Sequence, residues 1–212
     1  MKKSIITCFC VILTLTTNLK GQSWTLGVQG GPSWSRMNSK NVRKEDSRFG
    51  YHIGLWVDKH VAKRVSLQGG FNYVAVGAAN ENLTAQNSNS IVTWEYNLNY
   101  ISVPLNANYH LHKLITIGAG FYTGYLVGFN LRREGSRSNT LNTPEKDNLK
   151  SQDFGYQINL LVNYSSISLG VQYRNSFSKL PNSRLAESLI ADAQNSVIQM
   201  AVRYTLYQKD PK

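Results

Sequence analysis

Cysteine is almost absent: the 212 residues hold only Cys8 and Cys10. Both lie in the first apolar stretch, so the rest of the chain has no disulfide framework and no cysteine-ligated metal. Acidic side chains are scarce, 12 Asp and Glu against 23 Lys and Arg, for a formal net charge of +11. Beyond the N-terminus there is no long apolar run, which excludes a helical membrane span from the body of the chain. Gly118-Ala119-Gly120 is no phosphate loop, because no helical pattern follows it.

The one apolar run, residues 4–17, sits between Met1-Lys2-Lys3 and Asn18-Leu19-Lys20-Gly21-Gln22. A basic start, about a dozen apolar residues and a small residue at the exit describe a secretory signal peptide. The run is too short for a membrane anchor. Residues 1–21 are therefore expected to be a signal peptide, with one domain over 22–212. Export without disulfides suits the envelope of a Gram-negative cell. In an exported chain the basic charge argues against nucleic acid. It points instead to anionic glycolipid or an anionic partner.

What the chain does have is alternation with period two. Trp24, Leu26, Val28 and, further on, Trp34 share a face in the first strand. In the second, Phe49, Tyr51, Ile53, Leu55 and Val57 oppose Gly50, His52, Gly54 and Trp56. Val65, Leu67, Phe71 and Tyr73 oppose Ser66, Gln68, Gly70 and Asn72 in the third. The fourth changes phase: Trp94, Tyr96, Leu98 and Tyr100 are even, while Ile101, Val103, Leu105, Ala107 and Tyr109 are odd. A slip by one residue predicts a β-bulge, placed at residues 100–104 beside Pro104, which cannot donate to a ladder. The fifth strand sets Ile115, Ile117, Phe121, Tyr125, Val127 and Phe129 on one face, between glycines. The sixth, seventh and eighth repeat the alternation through Tyr164, Tyr173 and Leu206.

Eight strands result. Long polar connections are expected at 36–48, 78–92, 131–152 and 178–195, the last with one or two helical turns. Short turns are expected at 58–64, 110–113 and 165–166. Alternating long and short connections describe an antiparallel up-and-down barrel of the outer membrane, with short turns and both termini in the periplasm. A water-soluble eight-stranded barrel is the structural alternative, with its apolar set inside. The polar face decides against it. That face is mostly Gly, Ser, Asn, Gln and Thr, with Glu95, Arg174 and Arg203 as its few charges. Small and amide side chains suit a narrow lumen that must be filled and hydrogen-bonded. Trp24, Trp34, Trp94, Tyr109, Tyr164 and Tyr173 read as interfacial girdles.

The chain resembles the PorT-like small outer-membrane β-barrels, abundant in the Bacteroidota. The resemblance rests on Tyr100-Ile101-Ser102-Val103-Pro104-Leu105-Asn106-Ala107-Asn108-Tyr109, on the glycine-rich residues 117–125 and on Gly50-Tyr51-His52-Ile53-Gly54-Leu55. Family members often carry an acid where this chain has Ser102. The resemblance implies the barrel fold; some relatives are implied to act in protein secretion or gliding machinery.

Candidate chemistry is sparse. Glu95 with Arg174 or Arg203 is expected to form a lumen ion pair, and His52 to join the same structural network, since a buried charge needs a partner. His110 and His112, two apart on a strand, place both rings on one face without a third metal ligand, and His60 is expected to be solvated on a turn. His52 and Ser102 are possible parts of a hydrolytic site, with no motif to join them. No catalytic residue, cofactor or metal is assigned. The basic residues of 36–48 and 132–150 make a solvated rim or a surface for lipopolysaccharide phosphates. The expected function is a non-enzymatic outer-membrane barrel with a filled lumen, in a structural or interaction role or as an accessory subunit of an export machinery. A narrow channel or small-ligand carrier and an envelope enzyme acting on lipid or peptide remain open.

Overall fold

The computed structural model describes residues 23–38, 45–83, 91–134, 151–178 and 194–209. The expected signal peptide, the basic residues of 39–44 and 135–150 and the helical turns of 185–193 lie outside them. The strands are β1 (Trp24–Asn38), β2 (Glu45–Ala62), β3 (Val65–Leu83), β4 (Ile91–His112), β5 (Ile115–Glu134), β6 (Gln152–Tyr164), β7 (Ile167–Ser176) and β8 (Gln194–Lys209). They close in sequence order into one antiparallel barrel, with β8 paired to β1. One end carries the short turns and both described chain ends; the other carries the long connections. These are called the turn end and the loop end.

The connections expected from polarity are partly strand. β2 continues through the basic residues to Ala62, leaving Lys63-Arg64 as the turn, and β4 runs on to His112. Backbone pairing reaches Leu83↔Ile91 between β3 and β4, and Thr93↔Glu134 between β4 and β5. Polar side chains do not stop a strand whose amides already have a neighbour to pair with. At 22 residues β4 is about twice the roughly 9–11 residues a tilted crossing needs. β7 has only 10, so the wall is high over β2–β5 and low at β6 and β7.

The predicted bulge lies at the edge of the expected place, beside Tyr100, but its extra residue is on the partner strand β5. In β4 the alternation continues unbroken through Leu98, Tyr100, Ser102, Pro104, Asn106 and Asn108, all buried. The register shift falls opposite Asn99 and Tyr100, where Val127 of β5 is the extra residue. The sequence pattern changes phase because the lumen itself becomes apolar at the loop end, not because the chain turns over. Phe129, expected outside, pairs with the buried Leu98.

A second irregularity lies between Ser47 and His52 of β2, where four residues face three of β3. The β3 backbone freed there is held from β1 instead. Ser33 Oγ donates to Ala75 O at 3.2 Å. Ser35 Oγ donates to Gly77 O at 2.7 Å and accepts from Gly77 N at 2.8 Å. The crossing is close enough that a Cβ on Gly50 would stand 2.2 Å from Ala75 O.

In the hairpin between β6 and β7, Ser165 has a φ of 53°. A positive φ at the first of two turn residues is met most cheaply by glycine. Ser165→Gly is expected to stabilise the barrel by up to about 1 kcal/mol, read from urea unfolding midpoints. A loss of stability would contradict that geometry.

The two faces separate as the alternation requires. Leu160, Val171 and Val202 are 48 %, 45 % and 55 % exposed, whereas Gln157, Gln172 and Gln199 are buried. Apolar side chains cover the outside of every strand. Trp24 and Tyr109 sit near the turns, with Lys59 Nζ 4.9 Å above the Trp24 ring. Trp34 and Tyr173 lie toward the loop end, both level with Ile198. Trp34 meets Phe49 edge to face at 5.8 Å. The side chain of Trp94 lies outside the described residues. These rings form two bands, the arrangement amphipathic aromatics take at the edges of a hydrocarbon layer.

Candidate functional site: the filled lumen

The inward side chains stack in three levels. At the turn end, Arg203 Nη1 donates to Gln68 Oε1 at 3.3 Å. Asn108 Nδ2 donates to the same oxygen at 2.9 Å and to Asp58 Oδ2 at 3.2 Å. Trp56 lies below, its ring centroid 5.8 Å from the Arg203 guanidinium carbon and its Nε1 donating to Val28 O at 3.2 Å. The charge of Arg203 is thus linked to Asp58 through two amides rather than by direct contact.

The middle level is amide. Gln29 Nε2 donates to Asn72 Oδ1 at 2.8 Å, and Gln157 Nε2 to Asn106 Oδ1 at 2.7 Å. His52 is 3 % exposed here, and neither ring nitrogen has a hydrogen-bond partner.

Toward the loop end, the Arg174 guanidinium lies 3.8 Å from the Tyr122 ring centroid and its Nη2 donates to Ser102 Oγ at 3.0 Å. Tyr122 OH donates to Asp153 Oδ2 at 3.2 Å, and Ser176 Oγ donates to Asp153 Oδ1. Gly155 makes room for the Tyr122 ring: a Cβ there would stand 2.8 Å from its Cε1 and 2.1 Å from Asn175 O. Above this cluster Val74, Val76, Leu98, Tyr100, Leu126 and Val197 close the lumen, each 6 % exposed or less. A cavity of only about 20 Å³ remains between the two layers, room for about a single water.

Of the residues singled out in the sequence, Arg174, Arg203 and His52 share the lumen but belong to three different levels. Glu95 is held in β4 opposite Ala79 and Arg132. Its side chain lies outside the described residues, so the expected pair with Arg174 or Arg203 does too. The acids that share levels with these arginines are Asp153 and Asp58. Asp58 was placed in a turn, although it continues the even parity of His52, Gly54 and Trp56. Asp153 stood outside the expected strand, although it has the odd parity of Gly155 and Gln157. Parity carried two residues further would have found both.

The histidines also differ from expectation. His60 is not a solvated turn residue: it stacks on His110 with centroids 4.7 Å apart and planes at 17°. His110 bonds Ser66 Oγ at 3.0 Å through Nε2 and Thr116 Oγ1 at 2.9 Å through Nδ1. His112 is exposed, and its Nδ1 accepts from Leu114 N at 3.4 Å. A register shift at Leu111 separates the two histidines that simple alternation puts side by side. Among the described residues no group of three or more His, Cys, Asp or Glu is arranged to hold a metal. His52 and Ser102 are not joined by a hydrogen bond; Ser102 accepts from Arg174.

An eight-stranded closed barrel with an apolar exterior, aromatic bands and a polar, filled interior defines a small membrane-spanning β-barrel. The chain belongs to the outer membrane protein beta-barrel domain family, whose model matches residues 20–180. Among solved structures, it is similar to the attachment invasion locus protein Ail of Yersinia pestis. The identity is 12 %, over 89 % of this chain and 100 % of that one, with a TM-score of 0.47. It is also similar to Neisserial surface protein A, at 11 % identity over 85 % and 97 % of the two chains and a TM-score of 0.48. No curated protein sequence matches it.

Proposed function

We propose that this outer-membrane barrel is non-enzymatic and impermeable, and that it works through its rim as a structural or interaction protein. The observation that carries the reading is the double closure of the lumen. An apolar layer of Leu98, Leu126 and their neighbours lies over the hydrogen-bonded layer around Arg174. Eight strands leave a bore just wide enough for side chains, and here side chains occupy it. The serine and histidine that the hydrolytic reading names, Ser102 and His52, are not joined, since Ser102 accepts from Arg174. In the Ser66–His110 pair at the turn end, the second ring nitrogen meets Thr116 Oγ1 rather than an orienting carboxylate. The short turns and chain ends face the periplasm in this reading, as an N-terminal export signal would have it. The high wall of β2–β5 and its basic connections face lipopolysaccharide or an acidic envelope protein. The PorT-like sequence 100–109 favours an accessory place in an export machinery.

In planar bilayers the purified barrel is expected to give no unitary currents. Steady conductance from the unaltered protein would overturn the closed-lumen reading in favour of a narrow channel. Affinity purification from gently solubilised membranes tests the accessory role. Envelope proteins in fixed ratio are expected, and recovery of the barrel alone would remove that role.

A further inference from the structure

The turn end holds a vestibule that the filled lumen does not explain. Its inner hollow, about 240 Å³, is lined by Trp56, Asp58, His60, His110, Lys113 and Arg203 among others. An outer hollow of about 590 Å³ shares His60, His110 and Lys113 and adds Lys63 and Arg64. Three buried polar atoms on these walls lack hydrogen-bond partners: Arg203 Nε, Asp58 Oδ1 and His60 Nδ1. Arg203 and Asp58 are only 5 % and 9 % exposed, so water in bulk does not solvate them. Leaving such groups unmet costs about 1–3 kcal/mol each, more when charged.

The unmet groups are of both signs. Arg203 offers a donor and Asp58 an acceptor within the inner hollow, whose one other charged side chain is Lys113. Lys63 and Arg64 stand further out, on the outer hollow. In the inner hollow a bare anion would meet Asp58, and a bare cation would meet Arg203 and Lys113. A molecule with an acidic group and an ammonium a few ångströms apart satisfies both. The inner hollow is smaller than the roughly 300–1,000 Å³ of drug-sized sites, so the occupant is of headgroup size.

We propose that this vestibule binds a small zwitterion of the phosphoethanolamine type, its phosphate against Arg203, Lys113 and His60, its ammonium against Asp58. Phosphate suits that side because guanidinium and ammonium donors make charge-assisted hydrogen bonds to its oxygens. The same chemistry is carried by free phosphoethanolamine and by a phospholipid headgroup.

The test is calorimetric titration of the folded, full-length barrel in an uncharged glucoside detergent. Phosphoethanolamine is expected to saturate one site at least tenfold more tightly than inorganic phosphate, with ethanolamine giving no saturable heat. Lys113→Gln, in the exposed turn, is expected to weaken phosphoethanolamine at least fivefold without changing the fold. Asp58→Asn is expected to remove the preference over phosphate. Repeating the titration in nanodiscs separates the sources. Block by phosphatidylethanolamine discs, but not phosphatidylglycerol discs, identifies a headgroup; equal binding in both identifies the free ligand. No saturable heat, equal affinity for phosphate and phosphoethanolamine, or an unaffected Lys113→Gln variant would each overturn the proposal.

Discussion

Val171→Arg is expected to lower the unfolding free energy by about 2–4 kcal/mol in phospholipid vesicles, the cost of a cation on the lipid face near the bilayer midplane. Val171 is the fifth of ten residues in β7, and it pairs with Leu160 and Met200, both exposed on the same outer surface. A barrel surrounded by water predicts something else. There an arginine at a half-exposed site changes stability by no more than about 0.5 kcal/mol. Urea unfolding followed by tryptophan fluorescence separates the two, since Trp24, Trp34 and Trp56 all sit in the wall. A change below about 0.5 kcal/mol in vesicles would mean that this face does not meet hydrocarbon.

Arg174→Ala is expected to cost about 3–5 kcal/mol, the range for removing one partner from a buried set of charges. The variant loses the donor to Ser102 and the cation above Tyr122, and it leaves the Asp153 carboxylate in the lumen with no cation beside it. Because the damage is an uncompensated charge, adding Asp153→Asn is expected to recover part of it, a departure from additivity that a double-mutant cycle measures. Arg174→Lys is expected to restore little, since an ammonium cannot lie flat on the tyrosine ring while reaching Ser102. If Arg174→Ala proved as stable as the parent, this level of the lumen would not hold the barrel together.

The barrel itself was legible because in most strands the outward positions stay apolar: Phe49 to Val57 in β2 and Phe154 to Tyr164 in β6 place an apolar residue at every second position. β4 was misread for a physical reason. Alternation tells which residues share a face only while the two faces differ in polarity. At Leu98 and Tyr100 both sides of the wall are apolar, and the pattern goes silent about which side is which. The shift at Val127 was hidden by the same ambiguity. The lumen charges were half legible. Arg174 and Arg203 stand among small polar residues inside clear strands, whereas Asp58 and Asp153 stand at strand ends, where an acid reads as turn or loop. The stacking of His60 on His110 joins β2 to β4 across the mouth of the lumen, a relation between strands that no local pattern records.

Three of the lumen's hydrogen bonds skip over neighbouring strands and join residues far apart in the chain: Gln157 to Asn106 across 51 positions, Arg174 to Ser102 across 72, Arg203 to Gln68 across 135. None brings together neighbouring hairpin strands that could meet early in folding. Each reaches across the bore past at least one intervening strand, so the wall must already be curved before it forms. Such contacts come late, after much of the entropy of closing long loops has been spent. Weakening them is therefore expected to shorten the lifetime of the inserted protein far more than it slows insertion, so the interior acts as a latch on a finished object rather than a guide to its assembly.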